Sequence, residues 1–296
     1  MKNILLPIDF SDVLIRQLHA AARLSEPGGT ITIVHVPDTH GEGIQLSTRL
    51  GIENIDEHLL AELVWCRMVL QSTVPELNVQ THVENGPVAK ILARVAGEFE
   101  CDGVIIGSHG HGKIHQALYG STTERAMRLL NLPVCVVPSS AARRSKDRTS
   151  GNPVLVAVDL TDEAIDLIRL GIRSALRMPG PEVYVVHAFP AGSTRSPVAD
   201  LATLQELIVD ACKAEGFDSQ RIHALVAPGE VRKVAMEKVR RLRPGLLVMG
   251  RHHHGLLHRL VLGSNAEEIM KSSRCPCLIH PFQPVASVSL PVAMQP

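Results

Sequence analysis

The chain contains one unit twice. Offset by 143 residues, "VENGPVAKILARVAGEFECDGVIIGSHGHGKIHQALYGSTTERAMRLLNLPVCVVP" lies ungapped over "VAPGEVRKVAMEKVRRLRPGLLVMGRHHHGLLHRLVLGSNAEEIMKSSRCPCLIHP", with about fifteen identities in 56 positions. The matches fall on glycines, histidines and capping residues, among them Gly107/Gly250, Gly120/Gly263, Ser121/Ser264 and Glu124/Glu267. The fronts of the two halves also correspond: "NILLPIDFSD" with "PVLVAVDLTD", and "TITIVHVPD" with "EVYVVHAFP". A unit of roughly 140 residues is far longer than a solenoid period, so the repeat is a duplicated domain. The expected organisation is one domain over 1–138, a polar linker over 139–152, a second domain over 153–281 and an uncharged, proline-bearing tail over 282–296.

Within each unit, apolar runs alternate with segments of helical spacing. In the first half, strands are expected over 3–9, 30–36, 79–84, 103–107 and 134–137, with helices over 12–25, 55–70, 87–99 and 121–131. Alternating strands and helices imply a parallel sheet covered on both faces. Strands buried on both faces should be apolar throughout, as "VLVAV", "VIIG" and "LLVMG" are. Each half is therefore expected to be a doubly wound, Rossmann-like α/β domain, a fold that binds ligands beyond the carboxyl ends of its strands.

Composition narrows the function classes. The 30 basic and 30 acidic residues balance, and aromatic residues make up 3%. Sequence-independent nucleic-acid binding needs clustered cations, and single-strand binding usually adds stacking platforms; neither pattern is present. No apolar run approaches the ~18 residues of a membrane span, and "MKNILLPIDF" does not read as a secretory signal. The six cysteines are scattered through apolar stretches and do not form a disulfide frame. A cytoplasmic protein is expected.

Three strand ends should meet at the ligand side: Ile8-Asp9, His35-Val36 and Gly107. Gly107 with Gly112-Lys113 imitates a P-loop, but the hydroxyl that would ligate magnesium is replaced by Ile114. The phosphate turn is placed later, where Gly120-Ser121-Thr122 opens a helix. A helix start offers unpaired N–H groups and positive dipole, and glycine lets the backbone approach an anion. Ser121-x-x-Glu124 and Ser264-x-x-Glu267 are equally capping boxes, which helices need with or without a ligand. Asp9 has two readings as well: an acceptor for a ribose hydroxyl or metal-bound water, or a residue that orders the next turn.

The spacing G-x2-G-x9-G-[ST], carried by Gly107, Gly110, Gly120 and Ser121, accompanies a first strand ending in P-x-D, a "VHV" second strand and "NLPVCVVP". Together, in both halves, these motifs resemble the universal stress protein family, specifically its tandem members. The resemblance implies a five-stranded parallel sheet of order 3-2-1-4-5 in each half and an adenine-nucleotide site where the glycines are kept. It implies that Asp9 meets the ribose and Val36 the adenine, that Ile8 and Gly107 line the pocket, and that Gly110 approaches the phosphates. Gly120, Ser121 and Thr122 would cradle them. ATP, with or without Mg, is the implied ligand. The resemblance further implies pairing through the last strands, here as an intramolecular pseudo-dimer, and leaves a homodimer open.

The second half departs from this pattern. It keeps Asp159, Gly250, Gly263, Ser264 and Asn265 as candidate binding residues, but His253 replaces Gly110 and Ala188 replaces Val36. A histidine side chain would obstruct a phosphate lying against that backbone and penalise φ > 0, so weaker or absent nucleotide binding is expected there. His254 and His258 would share a helical face in metal-ligand geometry, yet no carboxylate or cysteine completes a site, and no metal site is assigned. Cys275-Pro-Cys277 reads as a buried pair. No catalytic constellation is present and no residue is assigned as a general base. The expected role is a stress-associated, ATP-binding regulatory protein; a non-nucleotide interaction scaffold and a weak ATPase are the alternatives.

Overall fold

The computed structural model describes residues 1–37, 55–108, 125–126, 128–139, 152–189, 196–251 and 264–281. In the first half these form β1 (Asn3–Ile8), α1 (Leu14–Leu24), β2 (Thr30–His35), α2 (Ile55–Thr73), β3 (Asn78–Val83), α3 (Val88–Glu98), β4 (Gly103–Gly107) and β5 (Val134–Val137). The second half gives β6 (Val154–Val158), α4 (Ala164–Ala175), β7 (Val183–Phe189), α5 (Pro197–Glu215), β8 (Ile222–Pro228), α6 (Val231–Leu242), β9 (Leu246–Arg251), α7 (Ser264–Ser272) and β10 (Cys277–Pro281).

The helices form where apolar residues recur at helical spacing. Leu14, Leu18, Ala21 and Ala22 give α1 one buried stripe, and Ala164, Leu167, Ile168 and Ile172 do the same for α4. The start of α5 is fixed by Pro197 at its first turn and by Ser196, whose hydroxyl accepts from the Ala199 N–H. Its end is set by Gly216 at φ 63°, a left-handed cap that glycine adopts without steric penalty.

All ten strands join one sheet in the order β3-β2-β1-β4-β5-β10-β9-β6-β7-β8. Each half contributes the 3-2-1-4-5 arrangement, with every pairing inside a half parallel. The halves meet where β5 and β10 pair antiparallel, with Cys277 opposite Val136, Leu278 opposite Cys135 and Ile279 opposite Val134. The last-strand pairing that the resemblance implied is thus made within one chain. Two apolar cores, one on each face of the sheet, both run through this seam. One joins Leu18 and Ile105 of the first half to Leu278 and Ile168 of the second; the other joins Val136 and Leu92 to Cys277 and Ile269. Away from the sheet, Arg177 at the end of the α4 segment donates to the Ser25 carbonyl at 2.7 Å and lies 3.4 Å from the Glu26 carboxylate.

In the second half, Glu215 at the end of α5 accepts from Arg169 and Arg173 of α4, each at 2.7 Å. The hydrogen bond from Arg173, then that from Arg169, outweighs burial and holds the Glu215 carboxyl below its ordinary 4.5. A depressed carboxylate stabilises the fold above its unfolded value, and that stabilisation is lost as pH falls through the folded value. The destabilisation caused by Glu215→Gln should therefore be present at pH 7 and disappear well below pH 4.5, as read from urea unfolding at each pH.

Candidate functional site

Parallel pairing brings the expected strand ends together. Ile8 lies opposite His35 in the β1–β2 register, and β4 runs along the other side of β1 to end at Gly107. Asp9 and Val36 follow directly on these ends, so Ile8, Asp9, Val36 and Gly107 all sit at the carboxyl edge of the first half's sheet. Gly110, Gly120, Ser121, Thr122 and Gly263 lie outside the described residues, as do the loop histidines. Ser264 and Asn265 open α7, with their side chains outside the description.

The local chemistry gives several of these residues structural duties. Asp9 accepts the Ser11 N–H on Oδ1 at 3.1 Å, a bond that orders the turn into α1. Between them Phe10 sits at φ 56°, a left-handed conformation that a bulky residue rarely adopts. Its ring packs on His35, with centroids 4.8 Å apart. His35 in turn donates from Nδ1 to the Ile8 carbonyl at 3.0 Å. The second half repeats that bond, His187 Nδ1 to the Val158 carbonyl at 3.1 Å. In both halves an imidazole thus ties the end of one strand to its neighbour just before the aspartate. A Cβ added to Gly107 would lie 2.7 Å from Val13 Cγ1, so Gly107 is required for α1 to lie close to β4 whether or not a ligand is present.

Each half also has a glycine just beyond its third strand. Gly86 and Gly229, equivalent in the repeat, share φ 132°, and each introduces the helix that follows, α3 or α6. In the second half the strand ends and α6 enclose a cleft of about 180 Å³. Val158 and Asp159 at the end of β6, Ala188 on β7, Gly250 on β9 and Val234 and Ala235 on α6 border it. This is the position expected for a ligand in a doubly wound sheet.

The sequence model of the universal stress protein family matches residues 1–138 and again 152–281. The chain belongs to the universal stress protein family. Universal stress protein Slr1230 of Synechocystis is 26% identical over 302 residues, covering 94% of this chain and 99% of the relative. Universal stress protein G of Escherichia coli O157:H7 is 29% identical over 140 residues, covering 46% of this chain and 98% of its own length. The first relative therefore matches the tandem chain nearly end to end, and the second is one unit long. The crystal structure of a universal stress protein from Archaeoglobus fulgidus has the same fold, with a TM-score of 0.64 at 20% identity, covering 94% of this chain and 96% of that one. Family membership accounts for the duplicated α/β unit and marks the chain as a stress-response protein. No helix among the described residues is long and apolar enough to cross a membrane.

Proposed function

We propose that this universal stress protein binds an adenine nucleotide in its first half and uses it as a regulatory ligand in the cytoplasm. The observation that supports this most is the convergence of Ile8, Asp9, Val36 and Gly107 at one sheet edge, immediately before the glycine run of the sequence. Apolar Ile8 and Val36 suit the base, and the Asp9 carboxylate suits a ribose hydroxyl. Gly107 and Gly110 allow close backbone approach, while Gly120, Ser121 and Thr122 would receive the phosphates of ATP, with or without Mg. The second-half counterparts, Asp159, Gly250, Gly263, Ser264 and Asn265, form a poorer phosphate site because His253 stands where the first half has Gly110.

Mg-ATP at about a hundred times its dissociation constant should add roughly 2.7 kcal/mol to the stability of the folded chain. That corresponds to a rise in Tm of about 5 °C or more, measured by differential scanning fluorimetry and abolished by Gly120→Val. A rise that survives Gly120→Val would move the phosphate site elsewhere. A second reading, an interaction scaffold, is favoured by the exposed apolar stripe Leu60, Val64, Trp65 and Met68 on α2. The absence of any ATP-dependent shift would select it. Phosphate release lost in Asp9→Ala would instead indicate a weak ATPase.

A further inference from the structure

We propose that Cys275 and Cys277, joined by hydrogen bonds in one turn at the seam between the halves, are a peroxide-reactive dithiol: Cys275 takes oxygen from a hydroperoxide and Cys277 then closes a reversible disulfide with it. The site does not depend on nucleotide binding in the first half.

The fold itself needs only apolar filling at this turn. In the first half the equivalent positions are Leu130, Leu132 and Val134, of which Leu130 and Val134 are buried. The second half has Ser273, Cys275 and Cys277 there, all three buried, and a proline holds the same place in both copies, Pro133 and Pro276. Three apolar residues are thus exchanged together for three that hydrogen-bond. Buried polar groups lower stability unless they find partners. Here the partners are one another.

The bonds single out one sulfur. The Cys275 N–H donates to Ser273 Oγ at 3.3 Å. The serine hydroxyl lies 3.1 Å from Cys275 Sγ and 3.3 Å from the Cys275 carbonyl, and that carbonyl also accepts the Cys277 thiol at 3.4 Å. Donors therefore gather around Cys275 Sγ, and donors favour the ionised form. The bond from Cys277 holds the Cys275 thiol below its ordinary 9.0, with burial opposing it and Ser273 adding to it. The other five cysteines go the opposite way. Burial pushes Cys66 and Cys135 up to about 12 and Cys101 to about 11, and it raises Cys212. The bond to Cys275, then burial, raises Cys277. Cys275 is also the most exposed of the six, at 8%. Because the thiolate is the nucleophile, Cys275 reacts first and Cys277 stays protonated beside it.

The chemistry balances with a hydroperoxide as the oxidant. The Cys275 thiolate attacks one peroxide oxygen, the O–O bond breaks, and the departing hydroxide takes a proton to leave as water. Cys275 is then a sulfenic acid. Cys277 Sγ gives up its proton and attacks Cys275 Sγ; the S–S bond forms, the S–O bond breaks, and the hydroxide leaves with that proton as a second water. Two thiols have lost two electrons and the peroxide has gained them. Residues two apart on an extended chain face one side, and both cysteines belong to the same core. The bridge lies at the start of β10, where Cys277 is opposite Val136, so oxidation is recorded at the seam.

The test uses the full chain, reduced, freed of reductant, exposed to hydrogen peroxide while folded, quenched with catalase and alkylated in urea. The untreated chain should take up six alkyl groups, one per cysteine, and the treated chain two fewer, with the loss reversed by dithiothreitol. Peptide mapping should place the bridge between Cys275 and Cys277, and Cys275 should react roughly tenfold or more faster than any other cysteine. Cys277→Ala should trap the sulfenic acid at Cys275, captured by dimedone; Cys275→Ala should abolish both bridge and adduct. Cys135→Ala, which removes the thiol opposite Leu278, should form the bridge as the wild type does. The wild-type map needs no variant, so it decides the matter even where a variant fails to fold. Uptake of six groups after peroxide, a bridge to another cysteine or another chain, or dimedone capture in the wild type without a bridge would overturn the proposal.

Discussion

Val136→Asp is expected to lower the unfolding free energy by roughly 4 kcal/mol or more, among the largest effects a single substitution has. Val136 is buried in β5, paired with Ile106 on one side and opposite Cys277 of the second half on the other. A carboxylate there would lose its hydration inside an apolar core that contains residues of both halves. The damage should therefore reach both halves. Trp65, the chain's single tryptophan, lies in the first half, so its fluorescence should lose stability together with the far-ultraviolet circular dichroism of the whole chain in urea. Leu129→Asp, at an exposed position, should change stability by no more than about 0.5 kcal/mol. A loss at Val136 as small as that control would mean that β5 and β10 do not form a packed seam.

Gly107→Ala should destabilise the chain by about 1–3 kcal/mol, the usual cost of overpacking. The added methyl would lie 2.7 Å from Val13 Cγ1, and Val13 is buried and β-branched, so it cannot rotate away freely. Gly107→Ala combined with Val13→Ala should recover part of that loss, giving a favourable coupling in a double-mutant cycle. The cycle separates the two duties of the glycine. If stability recovers and ATP binding returns with it, Gly107 serves the nucleotide through the position of α1. If stability recovers and ATP binding does not, the bare backbone itself meets the ligand. An absence of coupling would contradict the close approach of α1 to β4.

Much of the architecture was legible in the sequence because it is local or repeated. The run "NILLPI" and the spacing of Leu14, Leu18, Ala21 and Ala22 place β1 and α1 within a residue or two of their observed limits. The antiparallel seam is different: apolar runs such as "VCVV" and "CLIHP" show that β5 and β10 are buried but carry no mark of which strand each will meet. That pairing was available only through the family resemblance. At the site, Asp9 and Gly107 were found by position, and their structural duties were not. The Asx-type bond to Ser11 was one of two open readings, and the contact with Val13 depends on how a distant helix lies. His35 and His187 were read only as parts of a strand, although "VHV" and "VHA" recur at the same place in both halves, a signal that an imidazole was needed there. The cleft was the least legible feature. Its volume is the combined result of small side chains at Val158, Ala188, Val234 and Ala235, which come from three elements distant in sequence. No single one of them departs from an ordinary core residue.

On the proposed reading, the duplicated fold carries one nucleotide site, in the first half. Equilibrium dialysis of the purified chain against radiolabelled ATP with Mg measures this directly. One ATP bound per chain, lost in Gly120→Val and retained in Ala235→Leu, is the predicted result; a stoichiometry of zero or two, or a single site insensitive to Gly120→Val, would contradict it.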